Sequence, residues 1–140
     1  MDDLDEVSAE LRRGVTRLYS RFRSERLEGE VPDAALLVLL ALDTQGALSL
    51  TALADTAHVT LGSVSQPVRW LEELGFVVKS RDTTDRRRVL FSLTEPGRAA
   101  VTASRRHRRD WLSSRVAELT SDERAAIAAA APLLVRLANS

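Results

Sequence analysis

Leu4, Val7, Leu11, Val15, Leu18 and Phe22 recur every three or four residues near the start of the chain, with arginines between them. At 3.6 residues per turn these positions share one face, so the spacing predicts an amphipathic helix. Gly29 ends that helix or closely follows it. Pro32 stands at a first helical position, where its missing N–H costs nothing. The nine apolar residues from Ala34 to Leu42 then predict a second helix, apolar nearly all round and therefore central, which Gly46 closes. Leu50, Leu53, Ala54 and Ala57 form a short helical stripe that Val59 and Thr60 interrupt. Thr60 is placed to cap a further helix with Val64, Val68, Leu71 and Leu74 as its buried stripe, and Gly75 as its stop. Two short helices separated by about three residues predict a helix-turn-helix.

The period then changes. Residues 76–79 (Phe-Val-Val-Lys) and 89–93 (Val-Leu-Phe-Ser-Leu) are β-prone runs flanking the polar stretch 80–88, which predicts a two-stranded hairpin. Thr94 ends the second strand and caps a long helix running to about residue 118, with Ala99, Ala100, Val101, Trp111, Leu112 and Val116 along it. Thr120 and Glu123 have capping-box spacing and open a last helix over 121–138, alanine-rich from Ala125 to Ala131 and ending in Leu133, Leu134, Val135 and Leu137. The fold class is mainly α with a small β-hairpin. No sequence repeat or low-complexity linker divides the chain, so residues 1–140 read as one domain. The apolar stripes of the first helix and the last two exceed what a small three-helix core can cover, which predicts a homodimer joined through residues near both termini.

Charge alters this picture locally only. Twenty basic and twenty acidic side chains cancel over the 140 residues. The first ten residues carry Asp2, Asp3, Asp5, Glu6 and Glu10 and no base. Residues 79–88 carry Lys79, Arg81, Arg86, Arg87 and Arg88 against Asp82 and Asp85, a local +3. Local charge sets the field a polyanion meets. Arg105, Arg106, His107, Arg108 and Arg109 form a second basic cluster, read as an exposed helix face that either stays solvated or approaches phosphates or an acidic partner segment.

Several chemistries drop out. Without cysteine there is no disulfide, no thiolate metal site and no thiol redox switch. His58 and His107 have no acidic partner at ligand spacing, so neither a metal nor a cofactor is expected. No nucleophile–base pair and no phosphate-binding loop argue for an enzyme. The acidic start lacks the pattern of a signal peptide, and a nine-residue apolar run falls short of the roughly 20 a membrane span needs. A cytoplasmic protein is expected.

A hairpin directly after a helix-turn-helix describes a winged helix-turn-helix. The second helix of such a motif fits the major groove of double-stranded DNA. An arginine at the wing tip suits the minor groove, where a narrow groove concentrates negative potential. Residues 50–97 resemble the MarR family of bacterial transcriptional regulators. The resemblance rests on the Leu-Ala of the first motif helix, Leu71-Glu72 followed by Gly75, the wing Asp82-Thr83-Thr84-Asp85-Arg86-Arg87, then Leu93-Thr94 and Gly97. The flanking helices match in number and length.

The resemblance implies a symmetric homodimer, with about 1–28 and 94–140 as dimerisation helices and about 32–93 as the DNA-binding lobe. It implies a pseudo-palindromic operator, with Arg87 as the minor-groove arginine and Asp85 as the acid that orients it. Arg86 is expected at a phosphate or in a salt bridge. The outward positions of the recognition helix fall at Ser63, Ser65, Gln66 and Arg69, with Thr60 at its N-terminus, where main-chain N–H groups favour a phosphate. Pro67 departs from the pattern, because inside a helix it removes a donor and clashes with the carbonyl four residues back. Either the helix kinks, or its first turn is loose around Gly62 and Ser63.

The resemblance further implies a lipophilic or aromatic small-molecule ligand, such as an aromatic acid, between the dimerisation helices and the lobe. Helical faces suggest Leu11, Val15, Leu18, Leu36, Leu40 and Trp111 as cavity walls, with Arg12 or Arg17 meeting a carboxylate at the rim. The expected function is a repressor released from its operator by such a ligand. The alternative is a winged-helix interaction or architectural DNA-binding module without ligand control.

Overall fold

The computed structural model describes residues 3–26 and 29–140, so Asp2 and residues 27–28 of the expected first helical region lie outside the described residues. The elements run α1 (Asp3–Ser24), α2 (Asp33–Gln45), α3 (Leu50–Ala57), α4 (Leu61–Glu73), β1 (Val77–Arg81), β2 (Val89–Leu93), α5 (Glu95–Val116) and α6 (Ser121–Ala138). They form two compact units, residues 1–106 and 107–140, so the first three turns of α5 belong with the lobe.

In the first unit α2 is central. It buries Ala35, Leu36, Val38, Leu39, Ala41 and Leu42. Leu53 of α3, Val64, Val68 and Leu71 of α4, Val77 of β1, Phe91 and Leu93 of β2, and Val101 of α5 close the same core. Pro32 is one residue outside α2, an extended cap at ψ 158° rather than the first helical residue. Leu74 departs from the expected buried stripe and is 46% exposed. As the C-cap it still has helical dihedrals (φ −75°, ψ −11°), and at roughly 100° per residue it lies about 80° around the helix from Val64, at the edge of the stripe.

The strands pair antiparallel, with Val77 opposite Leu93 and Arg81 opposite Val89. β1 is buried only at Val77 and exposed from Val78 onward, so the hairpin leaves the core as a wing. Leu48 adds a bridge to the sheet, giving its N–H to Phe91 O at 3.0 Å and accepting from Phe91 N at 2.8 Å. Nothing in the Gly-Ala-Leu sequence around it has the alternation that announces a strand.

The junction of wing and α5 explains the Leu-Thr-x-x-Gly pattern. The Thr94 hydroxyl donates to Gly75 O at 2.6 Å and accepts from Gly97 N at 3.2 Å, while Thr94 N donates to Phe76 O at 3.1 Å. A Cβ on Gly97 would lie 2.1 Å from Phe76 O, so only glycine fits.

In the second unit α6 opens on the predicted capping box. Thr120 Oγ1 accepts from Glu123 N, and Glu123 Oε1 accepts from Thr120 N at 2.9 Å. That backbone hydrogen bond, with the Thr120 hydroxyl, holds the Glu123 carboxyl below its ordinary pKa. None of the described residues of α6 is buried.

Candidate nucleic-acid interface

The wing tip is built by short-range hydrogen bonds. Asp82 N donates to Arg88 O at 2.9 Å and Arg88 N to Asp85 O at 3.0 Å, closing the turn. Asp82 also accepts from Thr84 N through Oδ1. Asp85 Oδ1 accepts from Arg87 twice, from its main-chain N–H at 3.1 Å and from its Nε at 3.4 Å. The Arg87 side chain is 94% exposed. A carboxylate fixed by the turn thus holds one edge of the guanidinium and leaves the rest open to solvent. Arg81 Nη1 donates to Arg86 O at 2.9 Å, bracing the tip from the end of β1. Sequence reading missed Arg81; its position just before the polar tip is the only local signal it carries.

α4 is a continuous helix through Pro67. Its first turn is formed and capped, not loose. Thr60 Oγ1 accepts from Ser63 N at 3.3 Å and lies 2.8 Å from Ser63 Oγ, and Ser65 Oγ donates to Gly62 O. Thr60, Ser63, Gln66 and Arg69 are exposed and Ser65 is half-buried. The turn before α4 needs a left-handed residue, and His58 supplies it at φ 56°, the only described non-glycine with positive φ. Histidine therefore serves a turn here. Among the described residues no cluster of three or more metal-ligating side chains occurs.

Ionic contacts pin α2 at both ends. Asp33 accepts from Arg26 at 3.0 Å and pairs with Arg23. Burial works to raise the Asp33 pKa, but the hydrogen bonds and charges of Arg26 and Arg23 outweigh it and hold the carboxyl below its ordinary value. At the far end Arg105 reaches Asp43 at 2.6 Å, so the first arginine of the second basic cluster is partnered. Ser104, buried on α5, donates to Glu30.

The six expected cavity residues do not share one environment. Leu11, Val15 and Leu18 are exposed along α1. Leu36 is 4% exposed and enclosed by the core, so it offers no wall to a ligand. Leu40 packs half-buried against that core. Trp111 belongs to the second unit, with the Arg115 guanidinium 5.6 Å over its ring. Arg12 and Arg17 line a shallow groove with Ala9, Arg13 and Thr16. At roughly 100° per residue that groove is opposite the Leu11–Val15–Leu18 stripe, so these arginines do not rim it.

Fold and wing together define a winged helix-turn-helix of the kind that binds double-stranded DNA. The profile of the MarR family matches residues 32–89. An uncharacterized HTH-type transcriptional regulator of Mycobacterium bovis, Mb0904, is 32% identical over 139 residues, covering 99% of this chain and 97% of that one. The chain belongs to the MarR family, whose regulators bind DNA. Its fold is similar to that of a MarR family protein from Bacillus stearothermophilus, with a TM-score of 0.85 at 18% identity over 100% of this chain and 99% of that one. It is also similar to Bordetella bronchiseptica BpsR, whose DNA binding is regulated by 6-hydroxynicotinic acid, with a TM-score of 0.71 at 29% identity over 96% of this chain and 99% of that one. No described helix is long and apolar enough to cross a membrane.

Proposed function

We propose that the protein is a homodimeric, cytoplasmic repressor that binds a pseudo-palindromic operator and leaves it when a small lipophilic or aromatic ligand binds. The observation that carries the DNA-binding half is the Asp85–Arg87 contact at an otherwise open wing tip. Arg87 enters the minor groove, Asp85 sets its direction, and Arg86 meets a phosphate. Thr60 binds a phosphate at the start of α4, while Ser63, Ser65, Gln66 and Arg69 face the major groove. The terminal helices join the two copies, consistent with the exposed apolar residues of α1 and α6. Ligand control is supported by the likeness to BpsR.

The test is fluorescence anisotropy on the DNA flanking the protein's own gene. Arg87→Ala is expected to weaken binding by more than one phosphate contact accounts for. Asp85→Ala is expected to weaken it too, although that change removes a negative charge next to a polyanion. Charge bookkeeping alone predicts the opposite sign, so tighter binding by Asp85→Ala overturns the orienting role.

A further inference from the structure

The face of α1 opposite its apolar stripe is divided by charge. At roughly 100° per residue, Asp5, Glu6, Arg12, Arg13 and Thr16 all lie within about 60° of Ala9 around the helix, and the stripe from Leu4 to Leu18 lies on the far side. The two acids precede Ala9 and the two arginines follow it. Ala9 is half-buried and the other five residues are exposed. Ala9, Arg12, Arg13 and Thr16, with Arg17, line a depression of about 270 Å³. The side chains of Asp5, Glu6, Arg12 and Arg13 make no ion pair or hydrogen bond with any described residue.

The helix by itself does not account for this order. Asp5, Glu6 and Arg12 have no opposite charge three or four positions away. Glu6 with Glu10 and Arg13 with Arg17 are like-charge pairs four apart, which destabilise a helix. The helix dipole favours acids in the first turn and bases in the last, but its influence fades within one turn. Arg12 and Arg13 stand in the middle of a helix of 22 residues.

The order of charges selects the partner. A polyanion would be repelled by the acids of this face and a polycation by its arginines. The partner that fits carries both charges in reverse order, and the same face of a second copy, running antiparallel, is such a partner. With a two-fold axis between the two Ala9 residues, Asp5 of one copy stands beside Arg12 of the other, and Glu6 beside Arg13. Each pair is level to within about 1.5 Å along the helix and on the same side of it. The symmetry makes each pair occur twice. Alanine at the crossing point puts no bulk between the helices. We propose that this face of α1 is an interface with a second copy of the chain, formed by antiparallel α1 helices that cross at Ala9. The apolar stripe remains available for the contact of the proposed homodimer, so the ionic face joins one dimer to another. That count of copies rests on the homodimer reading above; the contact itself does not. Exposed ion pairs are individually weak and screened by salt, so the assembly is weak and salt-sensitive.

The experiment is sedimentation equilibrium of the full-length protein at hundreds of micromolar. It compares about 10 mM with about 1 M salt, between which the Debye length shortens from roughly 30 to roughly 3 Å. Dimers are expected to associate into tetramers in low salt and to separate in high salt. Glu6→Gln removes one of the two kinds of pair and is expected to raise the dimer–tetramer Kd about fivefold. Ala9→Gln keeps every charge, crowds the crossing and is expected to weaken association as well. Both changes suit a helix, so they test the contact even where charge reversal disturbs folding. Arg12→Glu with Arg13→Glu makes an all-acid face, and Asp5→Arg with Glu6→Arg an all-basic one. Neither doubly substituted protein is expected to form tetramers alone, and an equal mixture of the two is expected to form them again. The contact is overturned if salt does not change the species, if Glu6→Gln or Ala9→Gln leaves the Kd unchanged, or if two folded, charge-reversed proteins fail to associate on mixing. A dimer at both salt concentrations overturns the contact and leaves the homodimer standing. A monomer in high salt that pairs in low salt, with the same response to every variant, overturns the homodimer and leaves the contact standing.

Discussion

α1 carries one apolar stripe on an otherwise polar helix and α2 is apolar nearly all round, and their apolar side chains end in opposite environments. α2 buries Ala35, Leu36, Val38, Leu39, Ala41 and Leu42, whereas none of the described residues of α1 or α6 is buried. The stripe Leu4, Val7, Leu11, Val15 and Leu18 is as regular as that of α4, and all five residues are exposed. Regular spacing therefore specifies a helix and a face, and it does not specify what covers that face. In the lobe the cover comes from α3, α4 and the wing. For the terminal helices, in the proposed dimer, it comes from a second copy.

The sharpest way to break this contrast is a cavity in each kind of helix. Leu39 is fully buried, so Leu39→Ala is expected to cost about 2–5 kcal/mol. The loss should appear in denaturant unfolding at every protein concentration. Leu11→Glu acts differently. It is expected to leave the lobe folded and to convert the dimer to a monomer in sedimentation, with a melting temperature that no longer depends on concentration. Equal losses of lobe stability from both substitutions would erase the distinction.

A smaller effect probes how the wing tip is held. Arg81→Ala removes the brace on Arg86 O and is expected to raise the operator Kd about tenfold, roughly 1.4 kcal/mol. If Arg81 acts only by positioning, the dependence of log K on log salt keeps its slope. A direct phosphate contact would reduce that slope by about 0.9. The smallest effect concerns Asp33. Its pKa is lowered in the folded protein, so its contribution is present above the unfolded carboxylate value of 3.8 and is lost as pH falls through the lower folded one. Asp33→Asn is expected to cost under about 1 kcal/mol at neutral pH. The difference from the parent protein should vanish in acid unfolding titrations as the pH falls below the folded pKa.

Most of the fold was legible because its signals are local. The capping box of Thr120 and Glu123, the stop at Gly75 and the change of period after it each lie within a few residues of one another. α6 begins and ends where its pattern predicts. What was not legible is pairing across the chain. The Leu48–Phe91 bridge, Ser104 on Glu30 and Arg105 on Asp43 join residues more than forty apart, and no periodicity encodes them. α2 shows a second limit. A helix apolar nearly all round has no polar face to orient it, so Leu36 was indistinguishable from Leu37, which is the one that is exposed. In the wing, the Asp85–Arg87 contact could be anticipated from neighbouring residues, whereas the bond from Arg81 to Arg86 O depends on the path of the closed turn.

The Thr94 junction has a mechanical consequence. One hydroxyl joins the start of the wing to the start of α5, and Gly97 seats α5 directly on the Phe76 carbonyl. With no side chain between them to act as a cushion, the base of the hairpin and the first turn of α5 behave as a single lever. Rotation of that turn is expected to carry the base of the wing with it. A small tilt at the fulcrum becomes a larger displacement at the wing tip, in proportion to the length of the hairpin.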